Sequence, residues 1–166
     1  MYPALEEAFT RFPVRREVIE AMLRYGLSVS SNGNIFCGEI ELAPAKIGRA
    51  LKCDRRVVID TAKMIAGDEK LFEIFSALKP TADIRGAAKK LGFDVIEVRA
   101  NPNSVGIVAD ISRAIAKEGI SIRQIIADDP EIYPDPKLTL VLNAHLPSEA
   151  LERLRKVKGL ERISLG

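Results

Sequence analysis

Asn101-Pro-Asn-Ser-Val-Gly106 stands directly before the apolar run Ile107-Val-Ala-Asp-Ile111, an order of residue types suited to capturing a small polar molecule. Gly106 at a helix start allows a close backbone approach, because no Cβ blocks it. Free N–H groups in the first turn of such a helix favour a carboxylate or a phosphate, and the helix dipole adds to the attraction. Asn101 and Asn103 each offer a donor and an acceptor, which suits a zwitterion or a hydroxylated ligand. The same residues have a plain structural use: Asn103 or Ser104 caps the helix and Asn101-Pro102 turns the chain. Both readings stay open at this level.

A second set of side chains points to phosphate chemistry. Lys46, Arg49, Lys52, Arg55, Arg56 and Lys63 lie close together against only Asp54 and Asp60. The spacing places them on two short helices. Residues 44–51 form the first, with Pro44 near its start and Ile47 and Leu51 facing inward. Lys52-Cys53 breaks it, Asp54 caps the next, and residues 55–66 continue with Val58, Ala62 and Ile65 inward and Arg55, Arg56, Asp60 and Lys63 outward. This pair resembles the helix-turn-helix of transcription regulators, which implies that the second helix enters the major groove of double-stranded DNA. Arg55 and Arg56 oppose the helix dipole at that start, and a phosphate backbone would relieve them. Lys52 occupies a position that prefers a left-handed conformation and usually holds Gly. Val57 and Ile59 lie off the inward stripe, where a base-reading helix carries polar side chains. A helical dimerisation or packing role for residues 44–66 therefore stands beside DNA contact. No aromatic residue is interleaved with the cluster, which argues against stacking on single-stranded RNA.

Two strand–helix–strand plans in succession must position the first site. Residues 94–100 alternate as a strand, and the helix that follows Gly106 carries Ile107, Ile111, Ala114 and Ile115 at spacings of three and four. Gly119 stops that helix and leads into the strand of Ile120-Ser-Ile-Arg-Gln-Ile125. Residues 137–146 form a third strand, 148–156 a second helix opened by Pro147-Ser148, and 160–165 a last strand. This is the ferredoxin-like βαββαβ plan.

Asn101 to Gly106, the apolar helix and Glu118-Gly-Ile-Ser-Ile122 together resemble the ACT domain, a regulatory module that binds amino acids or similar metabolites. The resemblance spans residues 93–165. Asn101, Asn103 and Gly106 match its polar, Asp/Asn and Gly positions, while Val105 stands where the family usually has Pro and Ser121 where it often has Asn. It implies a ligand held by Asn101, Asn103, Ser104, Val105, Gly106 and Ile107. It also implies that Ile120, Ser121 and Ile122 lie near a neighbouring subunit's turn, at the interface of a homodimer or tetramer.

The N-terminal half frames the basic helices. Residues 12–25 read as an amphipathic helix ended by Gly26. Asn32-Gly33 between Leu27/Val29 and Ile35/Cys37 is a hairpin signal. Residues 69–78 and 82–91 read as two more helices split by Lys79-Pro80. The expected organisation is α+β: a mostly helical helix-turn-helix-like domain with a small hairpin over residues 1–78, a connector helix over 79–92, and an ACT-like ligand-binding domain over 93–166.

Composition narrows the function classes. The chain has 166 residues and a net charge of +2, with 15 basic and 12 acidic side chains up to residue 92 and 10 and 11 beyond it. Met1-Tyr-Pro-Ala-Leu-Glu-Glu7 lacks the basic start and apolar run of a secretion signal, and no window is apolar enough to span a membrane, so a cytoplasmic protein is expected. Cys37 and Cys53 form neither a zinc pattern nor a redox pair and are expected as buried, reduced thiols. The acidic loop of Asp128-Asp-Pro-Glu-Ile-Tyr-Pro-Asp-Pro136 offers oxygen ligands to a cation, though its three prolines suit a solvated connection or a pocket lid. His145, the sole histidine, has no serine, cysteine or carboxylate paired with it in the sequence. Neither a phosphate-binding Gly-Lys-Ser/Thr loop nor a dinucleotide glycine fingerprint is present. No enzyme, cofactor or metal is expected. The expected function is a regulator of metabolism that senses a small molecule, an amino acid or related metabolite, bound at an ACT-like dimer interface and coupled to DNA binding by the N-terminal domain. The alternative is a sensor or dimeriser that regulates an enzyme or partner protein without DNA.

Overall fold

Asn32-Gly33 turns the chain as its residue types require: Gly33 has φ +77°, Ser30 N donates to Asn34 O at 2.9 Å and Gly33 N to Ser30 O at 2.9 Å. The computed structural model describes residues 2, 5, 13–101 and 104–166, and the chain divides into two compact units at Ala82/Asp83. In the first unit, α1 (Pro13–Tyr25) buries Val18, Ile19, Ala21 and Met22. The hairpin joins β1 (Leu27–Val29) to β2 (Ile35–Cys37), with Leu27 opposite Cys37 and Val29 opposite Ile35.

A third strand, β3 (Ile40–Leu42), extends this sheet in the order β1-β2-β3. The sequence reading left it out. Its signal was the two-residue loop Gly38-Glu39 between the paired residues Cys37 and Ile40, with Gly38 at φ +61°. Such loops favour glycine where φ is positive. The helices α2 (Pro44–Leu51), α3 (Arg55–Gly67) and α4 (Glu69–Ser76) follow. Asp54 and Asp68 cap α3 and α4, accepting from Arg56 N at 2.7 Å and Leu71 N at 3.0 Å. Val58, Ala62, Ile65 and Phe75 pack with Met22, Val29, Ile35 and Ile47 as one core. Each fully buried aliphatic or aromatic side chain contributes ~1.5–3 kcal/mol to such a core.

The expected helix over residues 82–91 is not α-helical. Residues 78–84 carry no helix, and Arg85–Leu91 form a 3₁₀ segment that ends at Gly92 with φ +82°. Asp83 sets its start by accepting from Arg85 N at 3.0 Å, a local side-chain bond that competes with a regular helix. Ala88 of this segment is fully buried against Val95 and Val141.

In the second unit, β4 (Asp94–Ala100), α5 (Ile107–Lys117), β5 (Ile122–Ala127), β6 (Leu138–Leu142), α6 (Ser148–Leu154) and β7 (Leu160–Leu165) build a four-stranded sheet in the order β5-β6-β4-β7. All three pairings are antiparallel. The two strand–helix–strand plans interlock, and the protein is α+β with a ferredoxin-like second unit. Ile96, Val98, Leu140, Leu142 and Ile163 face Ile107, Ile111, Ile115, Ala150 and Leu154 of the two helices in a continuous core. No helix among the described residues is long and apolar enough to cross a membrane.

Candidate functional site

The first turn of α5 opens onto a cavity of about 660 Å³. Gly106 occupies the cap position at φ +92°, without a capping side chain. The first intrahelical bond runs from Asp110 N to Gly106 O at 2.9 Å, so the N–H groups of Ile107, Val108 and Ala109 have no earlier carbonyl within the helix to meet. Those three residues, with Gly106, form one wall. Ser104, one of the two caps the plain structural reading offers, does not cap the helix: Gly106 holds the cap position, and Ser104 N closes a turn on Asn101 O at 2.9 Å. Asn103 lies outside the described residues.

Asn101, Ser104, Gly106 and Ile107 line the cavity together. Val105 is fully exposed beside it and is not one of its lining residues. Ile120, Ser121 and Ile122 are elsewhere in the unit. They stand at the start of β5, where Ile122 pairs with Leu142, whereas the cavity meets β5 at its other end through Ala127. There Ser121 O accepts from Asn143 N at 3.1 Å and its Oγ from Asn143 Nδ2 at 2.8 Å.

Three further groups shape the cavity. Val98, Ala100 and Leu138 supply an apolar floor from the sheet. Asp128, Asp129, Pro130 and Pro136 bring the acidic loop against the mouth as a wall, with Lys137 beside them. The loop is held in shape by its own bonds: Asp129 Oδ1 accepts from Glu131 N at 2.8 Å and Asp129 O from Tyr133 N at 2.9 Å. Among the described residues no three His, Cys, Asp or Glu side chains converge as a metal site. Lys137 is committed to Glu97, with Nζ–Oε2 at 3.1 Å.

Gly159, whose sequence reads as an ordinary helix-to-strand exit, packs against the start of α5. It sits at φ +89°, and a Cβ there would come within 3.0 Å of Ile107 Cδ1 and 3.6 Å of Ser104 Oγ. The turn before β7 can approach the start of α5 only with glycine at this position. The local signal was slight, because the contact joins residues far apart in sequence.

The basic cluster of the first unit occupies the paired helices α2 and α3. Lys46, Arg49, Lys52, Arg55, Arg56 and Lys63 are all exposed. Lys52 adopts the left-handed conformation with φ 55°, and it is the one non-glycine residue to do so among the described residues. The tight turn rests on Gly48 in α2, where a Cβ would lie 2.8 Å from Cys53 O, and Cys53 N donates to Gly48 O at 2.9 Å. The glycine that permits the turn thus stands one helical turn before the position where the motif places it. Val57 is half-buried against the first unit's core, which accounts for an apolar side chain off the main stripe of α3.

Cys37 and Cys53 are free and half-buried, not buried as expected. Burial raises the Cys53 thiol pKa, with Glu17 and Asp54 adding to the rise. His145 does have a carboxylate partner, contrary to the sequence reading. Its Nδ1 lies 2.8 Å from Asp94 Oδ1, and Asp94 Oδ2 accepts from Leu146 N at 2.8 Å. The pair joins residues 51 apart in sequence, and the His145 side chain is 92% exposed.

No family model matches the sequence, and no curated protein does. Among solved structures, the ligand-free regulatory subunit of aspartate kinase from Thermus thermophilus is 25% identical, with a TM-score of 0.36 over 45% of this chain and 51% of that one. The chain therefore spans about half the length of that subunit. A second structure, of PH0061, is 14% identical with a TM-score of 0.29, over 92% of this chain and 88% of that one.

Proposed function

We propose that this protein is a metabolite-responsive regulator, and not an enzyme. A small molecule, an amino acid or a related metabolite, binds in the cavity at the start of α5. The observation that carries this reading is that cavity itself: open N–H groups at one wall, an apolar floor, and polar side chains at the rim. Its volume lies in the range of small-molecule sites, which run ~300–1,000 Å³. The carboxylate or phosphate of the ligand faces the first turn of α5, and Asn101 and Ser104 read its polar groups.

The first unit is the output module. Six exposed cations on a pair of tightly joined helices suit the phosphate backbone of double-stranded DNA, with α3 in the major groove. Ligand binding across a homodimer of the second unit favours one arrangement of the first units and so alters DNA affinity. Couplings of this kind are ~1–3 kcal/mol. The half-burial of Val57 against the core favours DNA over a protein partner, since that side chain is already occupied.

Thermal unfolding against amino acids, sugar phosphates and nucleotides tests the sensing half. A ligand at a hundred times its dissociation constant adds ~2.7 kcal/mol, a rise of several degrees for a chain of this size. A flat response across the panel, with control proteins responding, would remove the sensing half and leave the second unit as a dimeriser.

A further inference from the structure

Asp128 lies in the cavity wall and is also an anchor for the residues by which the chain enters the second unit. Its side chain is 9% exposed. Oδ2 accepts from Lys137 N at 3.2 Å, and Oδ1 faces Arg85 Nη1 at 3.5 Å. The same Arg85 nitrogen reaches Thr139 Oγ1 at 3.4 Å. On its other side the guanidinium grips Asp83 Oδ2, through Nε at 2.8 Å and Nη2 at 2.7 Å. Ile84 N donates to Gln124 Oε1 at 3.2 Å. Residues 83–85 are thus tied to the sheet through Asp128, Thr139 and Gln124.

These contacts are unequal. The Arg85–Asp83 pair has the length of a strong charge-assisted bond, ~2.7–2.9 Å, and the Arg85–Asp128 contact is well beyond it. Asp128 is the better placed of the two carboxylates for a cation inside the cavity, where low exposure strengthens the attraction. If Arg85 loses Asp128 it keeps Asp83 and is not left uncompensated. The guanidinium therefore has two satisfied arrangements: shared between the carboxylates, or held by Asp83 alone.

We propose that Asp128 couples cavity occupancy to the anchoring of residues 83–85, so that a cationic group bound in the cavity takes this carboxylate from Arg85 and loosens the segment. The inference rests on the cavity being a ligand site and names the ligand class more closely. The ligand carries a cationic side-chain group for Asp128 as well as an anionic group for the start of α5.

Amide hydrogen exchange on the full chain tests this, with L-lysine as the probe and L-norleucine, which keeps the α-ammonium and carboxylate but lacks the side-chain ammonium, as its counterpart. Asp128→Asn keeps an acceptor for Lys137 N and removes the charge. It should speed exchange at Ile84 and Arg85 about threefold, the effect of losing one long, partly exposed ion pair, and leave Leu140 in the sheet unchanged. L-lysine should speed the same amides in the parent and have no further effect in Asp128→Asn, while L-norleucine leaves them alone. Unchanged exchange at Ile84 and Arg85 in Asp128→Asn would overturn the proposal, as would slowing of these amides by L-lysine. L-lysine without effect on either α5 or residues 84–85 also overturns it. The sensing function itself falls only if the wider metabolite panel is flat as well.

Discussion

Arg85, Arg99, Arg113, Lys137, Arg153 and Arg155 of the second unit are each paired with a carboxylate, respectively Asp83 and Asp128, Asp135, Asp110, Glu97, Glu118 and Glu152. In the first unit Lys46, Arg49, Lys52, Arg55, Arg56 and Lys63 have no ion pair among the described residues, where Arg16–Glu20 is the pair found. The two units differ little in net charge, so the contrast lies in arrangement. Surface pairs contribute ~0–1 kcal/mol each, and the second unit gains little stability from them. Their consequence is that the potential around these six is locally cancelled. In the first unit those six cations have no ion pair among the described residues, and Arg55 and Arg56 sit where the dipole of α3 disfavours them, offset in part by the Asp54 carboxylate at the cap.

The comparison can be broken first at the turn that presents the cations. Gly48→Val places side-chain atoms against the backbone at Cys53, and should lower the unfolding free energy of the first unit by about 3 kcal/mol. Urea unfolding followed at Tyr25 reads this. A stability within experimental error of the parent would mean that α2 and α3 do not approach as described.

Gly106→Val, and separately Asn103→Ala, should remove the ligand-induced rise of about 2.7 kcal/mol expected at a hundredfold excess over the dissociation constant. The quantity compared is the ligand-induced shift, because a β-branched residue at φ +92° lowers the melting temperature by itself. If both variants respond as the parent does, the ligand binds elsewhere.

Arg55→Ala combined with Arg56→Ala sharpens the contrast. DNA affinity at low salt should fall about ten- to hundredfold, and the slope of log affinity against log salt should lessen by about two. Stability should stay level or rise by about 0.3–1 kcal/mol as the dipole conflict disappears. Unaltered affinity and slope would assign the cations to a solvated face.

The smallest effect belongs to the second unit's own pairing. Hydrogen bonding from Arg85 holds the Asp83 carboxyl below its ordinary range, against the opposing effect of burial. A carboxyl lowered in the folded state contributes stability above its unfolded pKa and loses it as pH falls through the folded value. Asp83→Asn should therefore cost under about 1 kcal/mol at neutral pH, given its exposure, and the difference should fade as pH falls below the ordinary carboxylate range and through the lowered folded value. A deficit that persists there would mean that Asp83 acts through packing and not through charge.

Local chemistry carried much of this fold in the sequence. The hairpin followed from Asn32-Gly33, the caps from Asp54, and the interlocked second unit from alternation in β4 and the isoleucine stripe of α5. What escaped was long-range or unusually short. β3 has three residues, too few for a periodic signal. The use of Gly48 and Gly159 depends on backbone or side-chain neighbours brought close by folding. The His145–Asp94 pair and the Arg85–Asp128 contact join strands and segments that only the sheet registers. At the cavity, the motif identified one wall, while the floor and the acidic rim depended on where β4, β5 and β6 end.

On the proposed function, a metabolite in the second unit changes what the first unit does with DNA. Fluorescence anisotropy of a labelled mixed-sequence duplex, titrated with and without the metabolite that raises the melting temperature, measures it directly. Affinity should differ about five- to 150-fold between the two curves, and Gly106→Val should collapse that difference. Superimposable curves from a protein that binds both the metabolite and the duplex would contradict the coupling.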